Sequence, residues 1–293
     1  MRRPAWSEQF TRESLQTLKA YMPLDDISAE WAWGGSTGKG VKVAVIDSGI
    51  EGSHTAVGGM LRGGVSITEG LNGLEYNESP HPDLFGHGTA CAGIIHALAP
   101  ECELYSVQVL GSRLTTKGMV FAAGIRWAIE NGMNVCNLSL GTPKKDYFGI
   151  LHELVDQACF KNIMVVTAAN NMPIPAYPSV FASVISVASH DIEDPYLFYY
   201  NPTPPVEFGA PGINIRVAWL NESWITATGN SFAAPHITGL VTRILGKYPD
   251  LTPFQMKVIL RGLSANMPRT KDTVDRERRA VSPESEDANS VRQ

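Results

Sequence analysis

Apolar residues along this chain fall into short dense runs separated by longer stretches of helical spacing. Residues 41–46 read Val-Lys-Val-Ala-Val-Ile, a nearly continuous apolar run. Such a run suits a strand covered on both faces. The same reasoning predicts strands over 104–110, 134–140, 163–168 and 184–188. Helical spacing predicts helices over 87–97, 118–131, 147–161, 231–246 and 252–262. The second of these sets Val120, Ile125, Trp127 and Ala128 on one apolar face. The last opens on Thr252-Pro253, a good N-cap followed by proline at the first helical position. Strands alternating with helices imply an α/β fold, with a mostly parallel sheet and helices on both faces. No internal repeat is visible.

The ends differ from this pattern. Residues 1–21 form a polar lead with weak helical character over 7–21. Residues 266–293 are charged, serine-rich and poor in large apolar side chains, so a disordered tail is expected there. Its Arg276-Glu277-Arg278-Arg279 cluster reads as a solvated charge run. One domain over 22–265 remains between them.

Composition excludes several classes. The net charge is −5 and no basic stripe appears, so nucleic acid is not an expected partner. No eighteen-residue apolar run exists, so no membrane span is expected. Met1-Arg2-Arg3 has no apolar stretch behind it, unlike a secretory signal. Of four cysteines, Cys91 and Cys159 fall in helical patterns and Cys136 in a strand pattern; with Cys102, none shows metal-ligand spacing. A reduced, cytoplasmic protein is the simplest reading. The sequons at Asn77, Asn137 and Asn221 would then carry no glycan.

Three segments carry chemistry. The strand over 41–46 ends in Asp47-Ser48-Gly49. His87 lies between Gly86 and Gly88, before Thr89 and Ala90. Gly229-Asn230-Ser231-Phe232-Ala233-Ala234-Pro235-His236 places a serine at the start of an apolar helix. A serine hydroxyl is a weak nucleophile until a base takes its proton. Histidine can do so near neutral pH. An aspartate fixes the imidazole tautomer and stabilises the imidazolium. Singly, these residues have ordinary readings as a turn aspartate, a structural histidine and a helix cap. In the order Asp, His, Ser they follow one of the established triad orders.

These motifs together resemble the subtilisin-like serine peptidases, the subtilases, over roughly residues 22–263. In the nucleophile motif Asn230 stands for the family's threonine and Phe232 for its methionine. The resemblance implies the subtilisin-like three-layer fold and a peptide or protein substrate. It makes Ser231 the nucleophile, His87 the general base and then acid, and Asp47 its orienter. It also implies an asparagine oxyanion donor after a strand. Here the strand over 163–168 leads through Ala169 to Asn170-Asn171, and Asn170 replaces a family glycine. By the motif Asn171 takes the donor position, with Asn170 as the alternative, and the Ser231 N–H is the second donor.

Asn137-Leu138-Ser139-Leu140-Gly141 resembles the family's substrate-binding strand, on which an extended peptide would pair with Ser139, Leu140 and Gly141. The S1 pocket would lie between these and Ala168-Ala169, with Ala176 near its floor. No charged residue is clearly placed there, so a neutral, apolar or small P1 side chain is expected. The segment after His87 runs on without the calcium-binding insert of many subtilases; no metal or cofactor is expected. A lead of about twenty residues is too short for a folded inhibitory pro-domain. The expected activity is that of an intracellular serine endopeptidase, with removal of leader peptides as a candidate role. General protein turnover, acyl transfer to an amine and a catalytically silent peptide-binding module are the alternatives.

Overall fold

The structure is a computed structural model that describes residues 27–267. The expected lead over 1–21, and the expected tail beyond Met267, lie outside the described residues. Its first half runs α1 (Ala29–Trp33), β1 (Lys42–Asp47), β2 (Leu61–Gly70), β3 (Gly73–Asn77), α2 (His87–Leu98), β4 (Glu103–Gln108), α3 (Gly118–Glu130) and β5 (Val135–Leu138). It continues through α4 (Phe148–Phe160), β6 (Met164–Ala168), β7 (Ile185–His190), β8 (Tyr199–Tyr200), β9 (Phe208–Pro211), β10 (Ile215–Trp219), β11 (Ser223–Ala227), α5 (Asn230–Lys247) and α6 (Pro253–Leu263).

Nine strands form one sheet in the order β3-β2-β4-β1-β5-β6-β7-β9-β8. All neighbours from β2 to β9 pair in parallel; β3 and β8 close the two edges antiparallel. From β1 the chain first moves to one side, to β2, and β4 returns beside β1. From β5 onward it steps to the other side. The reversal occurs at β1, and ligand sites in open α/β sheets lie at such switch points, beyond the carboxyl ends of the strands. Asp47 is the last residue of β1.

The apolar runs have the expected cause. In β1, Val43 and Val45 join the core beneath α2, α5 and α6, whereas Ala44 and Ile46 join the core beneath α3 and α4. β6 divides in the same way, with Met164 and Val166 on one side and Val165 on the other. Each strand therefore reads as uninterrupted apolar sequence because both faces are buried. α6 closes the domain with a full capping box, in which Thr252 and Gln255 exchange side-chain and backbone hydrogen bonds. Asn266 exchanges two hydrogen bonds with the Tyr200 backbone, so ordered contacts run one residue past the expected domain boundary.

Several elements lack a clear sequence pattern. β2 contains Gly63 and Gly64, carries a register shift between Leu61 and Gly63, and buries only Val65 and Ile67. β9 is four residues long and ends in proline. The hairpin of β10 and β11 stands apart from the sheet and packs on α2. The predicted strand over 134–140 stops at Leu138, which leaves residues 139–141 outside regular pairing.

Candidate active site

α2 begins at His87 and brings its first turn hard against the end of β1. A Cβ on Gly88 would stand 1.9 Å from the Gly49 carbonyl oxygen, so only glycine permits this approach. The result is a tight pair. His87 Nδ1 lies 2.9 Å from both Asp47 carboxylate oxygens, and Asp47 is fully buried. Nδ1 is thus the donor to Asp47, and Nε2 takes no part in that contact. Burial disfavours the charged imidazole, but the Asp47 carboxylate and Cys91 together outweigh it and hold the His87 pKa well above its ordinary 6.5.

Ser231 sits in the first turn of α5, one turn before Pro235. Proline has no N–H, so the Ser231 carbonyl loses its intrahelical partner. Ser139 Oγ fills the gap by donating to Ser231 O at 2.8 Å, and itself accepts from Asn137 Nδ2 at 2.9 Å. Thr238 Oγ1, one helical turn beyond Ala234, donates to Asn137 Oδ1 at 2.9 Å. A buried polar chain therefore ties α5, β5 and the segment after β5. It also makes Asn137 of the sequon fully buried. Cys91 lies beneath the imidazole, its sulfur 3.3 Å from Ser139 Oγ and 4.0 Å from His87 Nδ1. Burial pushes this thiol up, so it is a neutral group. Asp47, His87 and Cys91 are also the one trio of potential metal ligands within mutual reach among the described residues. Phe232 packs its ring 5.1 Å from the His87 ring. Among the described residues, Ser231 Oγ has no hydrogen-bond partner.

The two candidate oxyanion asparagines point differently. Asn170 Oδ1 accepts from the Met172 N–H at 3.0 Å, a local turn contact. Asn171 Oδ1 accepts from the Asn230 N–H at 2.9 Å, which turns its Nδ2 toward the side of Ser231. A Cβ on Gly229 would stand 3.2 Å from Ser231 Oγ and 3.6 Å from Asn171 Nδ2. The hydroxyl and the amide therefore converge on the space beside Gly229.

Comparison with known proteins gives the family of the chain. The profile of the "Subtilase family" matches residues 38–278. The chain belongs to the subtilase family. It is 33% identical over 270 residues to Subtilisin DY of Bacillus licheniformis, covering 86% of this chain and 93% of that one. It is 33% identical over 252 residues to the minor extracellular protease Epr of Bacillus subtilis, covering 81% of this chain but only 37% of that protein. The fold is similar to that of a cold-adapted subtilisin-like serine proteinase, with a TM-score of 0.65 and 26% identity over 82% of this chain and 87% of the other. The protein is a subtilisin-type serine endopeptidase.

In this subtilase the residues expected to meet the substrate lie on neighbouring segments. Thr142 and Tyr177 form an antiparallel bridge, with N–H···O distances of 2.9 and 2.8 Å. A Cβ on Gly141 would stand 3.1 Å from Tyr177 O and 3.5 Å from Ala176 Cβ. Ala176 thus lies against Gly141, and Ala168 is buried at the end of β6. Ser139 is buried and bonded to Ser231 O, whereas Leu140 and Ala169 are partly exposed.

Sequence reasoning missed Asp83. Its Oδ1 accepts from Ser48 Oγ, Phe85 N and Gly86 N, and its Oδ2 from Thr89 N and Thr89 Oγ. This buried carboxylate holds the residue after Asp47 and both sides of His87. The signal was present, since an aspartate two and three residues before free N–H groups at a helix entry is a recognised turn device.

Proposed function

We propose that Ser231 Oγ attacks the carbonyl carbon of the scissile peptide bond while His87 Nε2 takes its proton. Asp47 holds the imidazole through Nδ1 and stabilises the imidazolium. Asn171 Nδ2 and the Ser231 N–H receive the oxyanion. The C–N bond then breaks, the proton on Nε2 passes to the leaving amine, and water repeats the sequence on the acyl-enzyme. The convergence of Ser231 Oγ and Asn171 Nδ2 beside Gly229, together with the buried Asp47–His87 pair, carries this reading. Catalytic hydrogen bonds are often open in the free enzyme and close on the substrate.

The substrate chain pairs with Ser139, Leu140 and Gly141, and its P1 side chain enters between these and Ala168-Ala169. The approach of Ala176 and Tyr177 to Gly141 favours a small neutral P1 residue. The protein works in the cytoplasm as a dedicated processing peptidase, without metal or cofactor. Four free, buried cysteines suit a reducing compartment. The short loop after Asn171 contains Pro173, Pro175 and Pro178, and such stiffness suits a narrow substrate range.

Digestion of a peptide library, read by mass spectrometry against Ser231→Ala, tests this. One narrow motif with small P1 residues is the expected result, and dense unselective cuts would replace processing with general turnover. The silent-module alternative draws on the absence of a hydrogen bond to Ser231 Oγ among the described residues. A fluorophosphonate probe decides between them, because folded wild-type protein that fails to label at Ser231 would reject catalysis.

A further inference from the structure

Two departures from the subtilase motifs, Asn170 for glycine and Asn230 for threonine, are far apart in sequence but in contact here. Asn230 Nδ2 donates to Asn170 O at 3.1 Å and to Ala169 O at 3.3 Å. Its Oδ1 accepts from Ser189 N at 2.9 Å and from Ser189 Oγ at 2.9 Å. Two donor hydrogens and two acceptor sites are thereby all used, the full capacity of a carboxamide. A threonine hydroxyl has one hydrogen and could donate to only one of the two carbonyls.

We infer that Asn230 is a positioning residue for the oxyanion site, acting through Asn171. The inference rests on the roles proposed above for Ser231 and Asn171. β6 and β7 are parallel neighbours that last pair at Ala168 and Val187, beyond which Ala169 N–H reaches Val187 O. Past that point no ladder holds the chain that carries Asn171. The Asn230 amide takes over, gripping the two carbonyls just before Asn171 and fastening them to Ser189 of β7. The main-chain N–H of the same residue holds Asn171 Oδ1 at 2.9 Å. One residue thus fixes both the backbone ahead of the donor and the rotation of its amide. An oxyanion donor is effective only if it is already in place when charge develops. Asn170 closes the other side of the turn through its bond to Met172 N, so the two departures make one amide-braced corner.

The test needs no knowledge of the natural substrate. The rate of fluorophosphonate labelling at Ser231 is measured for wild type, Asn230→Ala, Asn171→Ala and the double variant, alongside thermal melting. On a peptide cleaved by the wild type, kcat and KM are measured for the same four proteins. Asn230→Ala is expected to lower kcat and the labelling rate about tenfold, below the 10²- to 10³-fold typical for losing a donor itself. KM should stay within about twofold, because the oxyanion forms only after binding. In the Asn171→Ala background the further loss should shrink to about threefold or less, as expected for residues acting as one unit. Ser189→Ala removes a single bond of the brace and serves as the milder variant if Asn230→Ala does not fold. It should give a smaller loss in kcat with KM unchanged. Independent, fully multiplicative losses, or equal changes in kcat and KM, would overturn the positioning role and leave a merely structural one. Wild type that labels while Asn230→Ala matches it would also overturn it. Folded wild type that neither labels nor cleaves would instead remove the catalytic reading, and this inference with it.

Discussion

Beneath α3 and α4 the central sheet meets its helices through side chains such as Ile46, Val107, Phe121, Ile125, Leu138, Leu151 and Val165, all apolar. Beneath α2 and α5 the same strands bury Asn137 and a polar chain that reaches Ser139, Thr238 and the Ser231 carbonyl. Alternation within β5 makes the division sharp: Cys136 and Leu138 face the first side, and Asn137 bonds to α5 on the second. Apolar packing tolerates small adjustments in geometry, but hydrogen bonds fix distance and direction. Both faces of the sheet therefore bury an apolar core, and the second has the added task of fixing Ser139 and the first turn of α5 by hydrogen bonds.

Substitutions on the two faces should separate these tasks. The largest effect belongs to Asp47→Asn, expected to lower kcat about 10,000-fold, the scale of a lost triad orienter. It should also move the pH dependence. In the wild type the His87 pKa is raised, so the rate should climb with pH through a limb above 6.5. Without the carboxylate, burial opposes the charged imidazole and Cys91 alone still favours it, so the limb should fall to lower pH. Stability follows the opposite sense. A raised His87 pKa contributes stability that is full below 6.5 and lost as pH rises through the folded-state value. Rate profiles and melting curves across pH check both signs. If Asp47→Asn left the rate limb unmoved, His87 would not be the group that sets it.

Leu151→Ala lies on the apolar face and should cost about 2–5 kcal/mol of stability, as for other fully buried leucines. Its kcat at a temperature well below melting should equal that of wild type. A large fall in kcat would show that the two faces are coupled. The smallest effect is expected at Thr167, whose hydroxyl is buried without a partner among the described residues. By alternation in β6 it lies on the side of Val165. Thr167→Val removes that unpaired group at nearly constant volume and should stabilise by about 1 kcal/mol. Denaturant unfolding measures it, and a destabilised variant would mean that the hydroxyl does have a partner, such as an ordered water.

The elements visible in the sequence share one property: their pattern repeats over enough residues to show. β1 and β6 carry apolar residues on both faces, and α2, α3, α5 and α6 keep helical spacing for eleven residues or more. β2 did not show, because its glycines and its register shift break the alternation, and its pairing with β4 is what makes it a strand. β9 is too short to have a period. Asp47, His87 and Ser231 stood out as candidates because each lies in a local motif that constrains its own neighbours.

The amino-acid order by itself determined the α/β class, the motif-bearing residues and the family. These depend on local spacing and on residue types that chemistry requires, and both are properties of the chain. Tertiary structure decided which of two adjacent asparagines turns toward Ser231, since that depends on the Asn230 N–H fifty-nine residues away. It likewise decided that Ser139 takes the carbonyl freed by Pro235, that Asp83 holds both Ser48 and Thr89, and that Asn170 and Asn230 form one corner. A hydrogen bond between distant residues has no local signature, because its donor and acceptor find each other only after the sheet and its helices have set the distance.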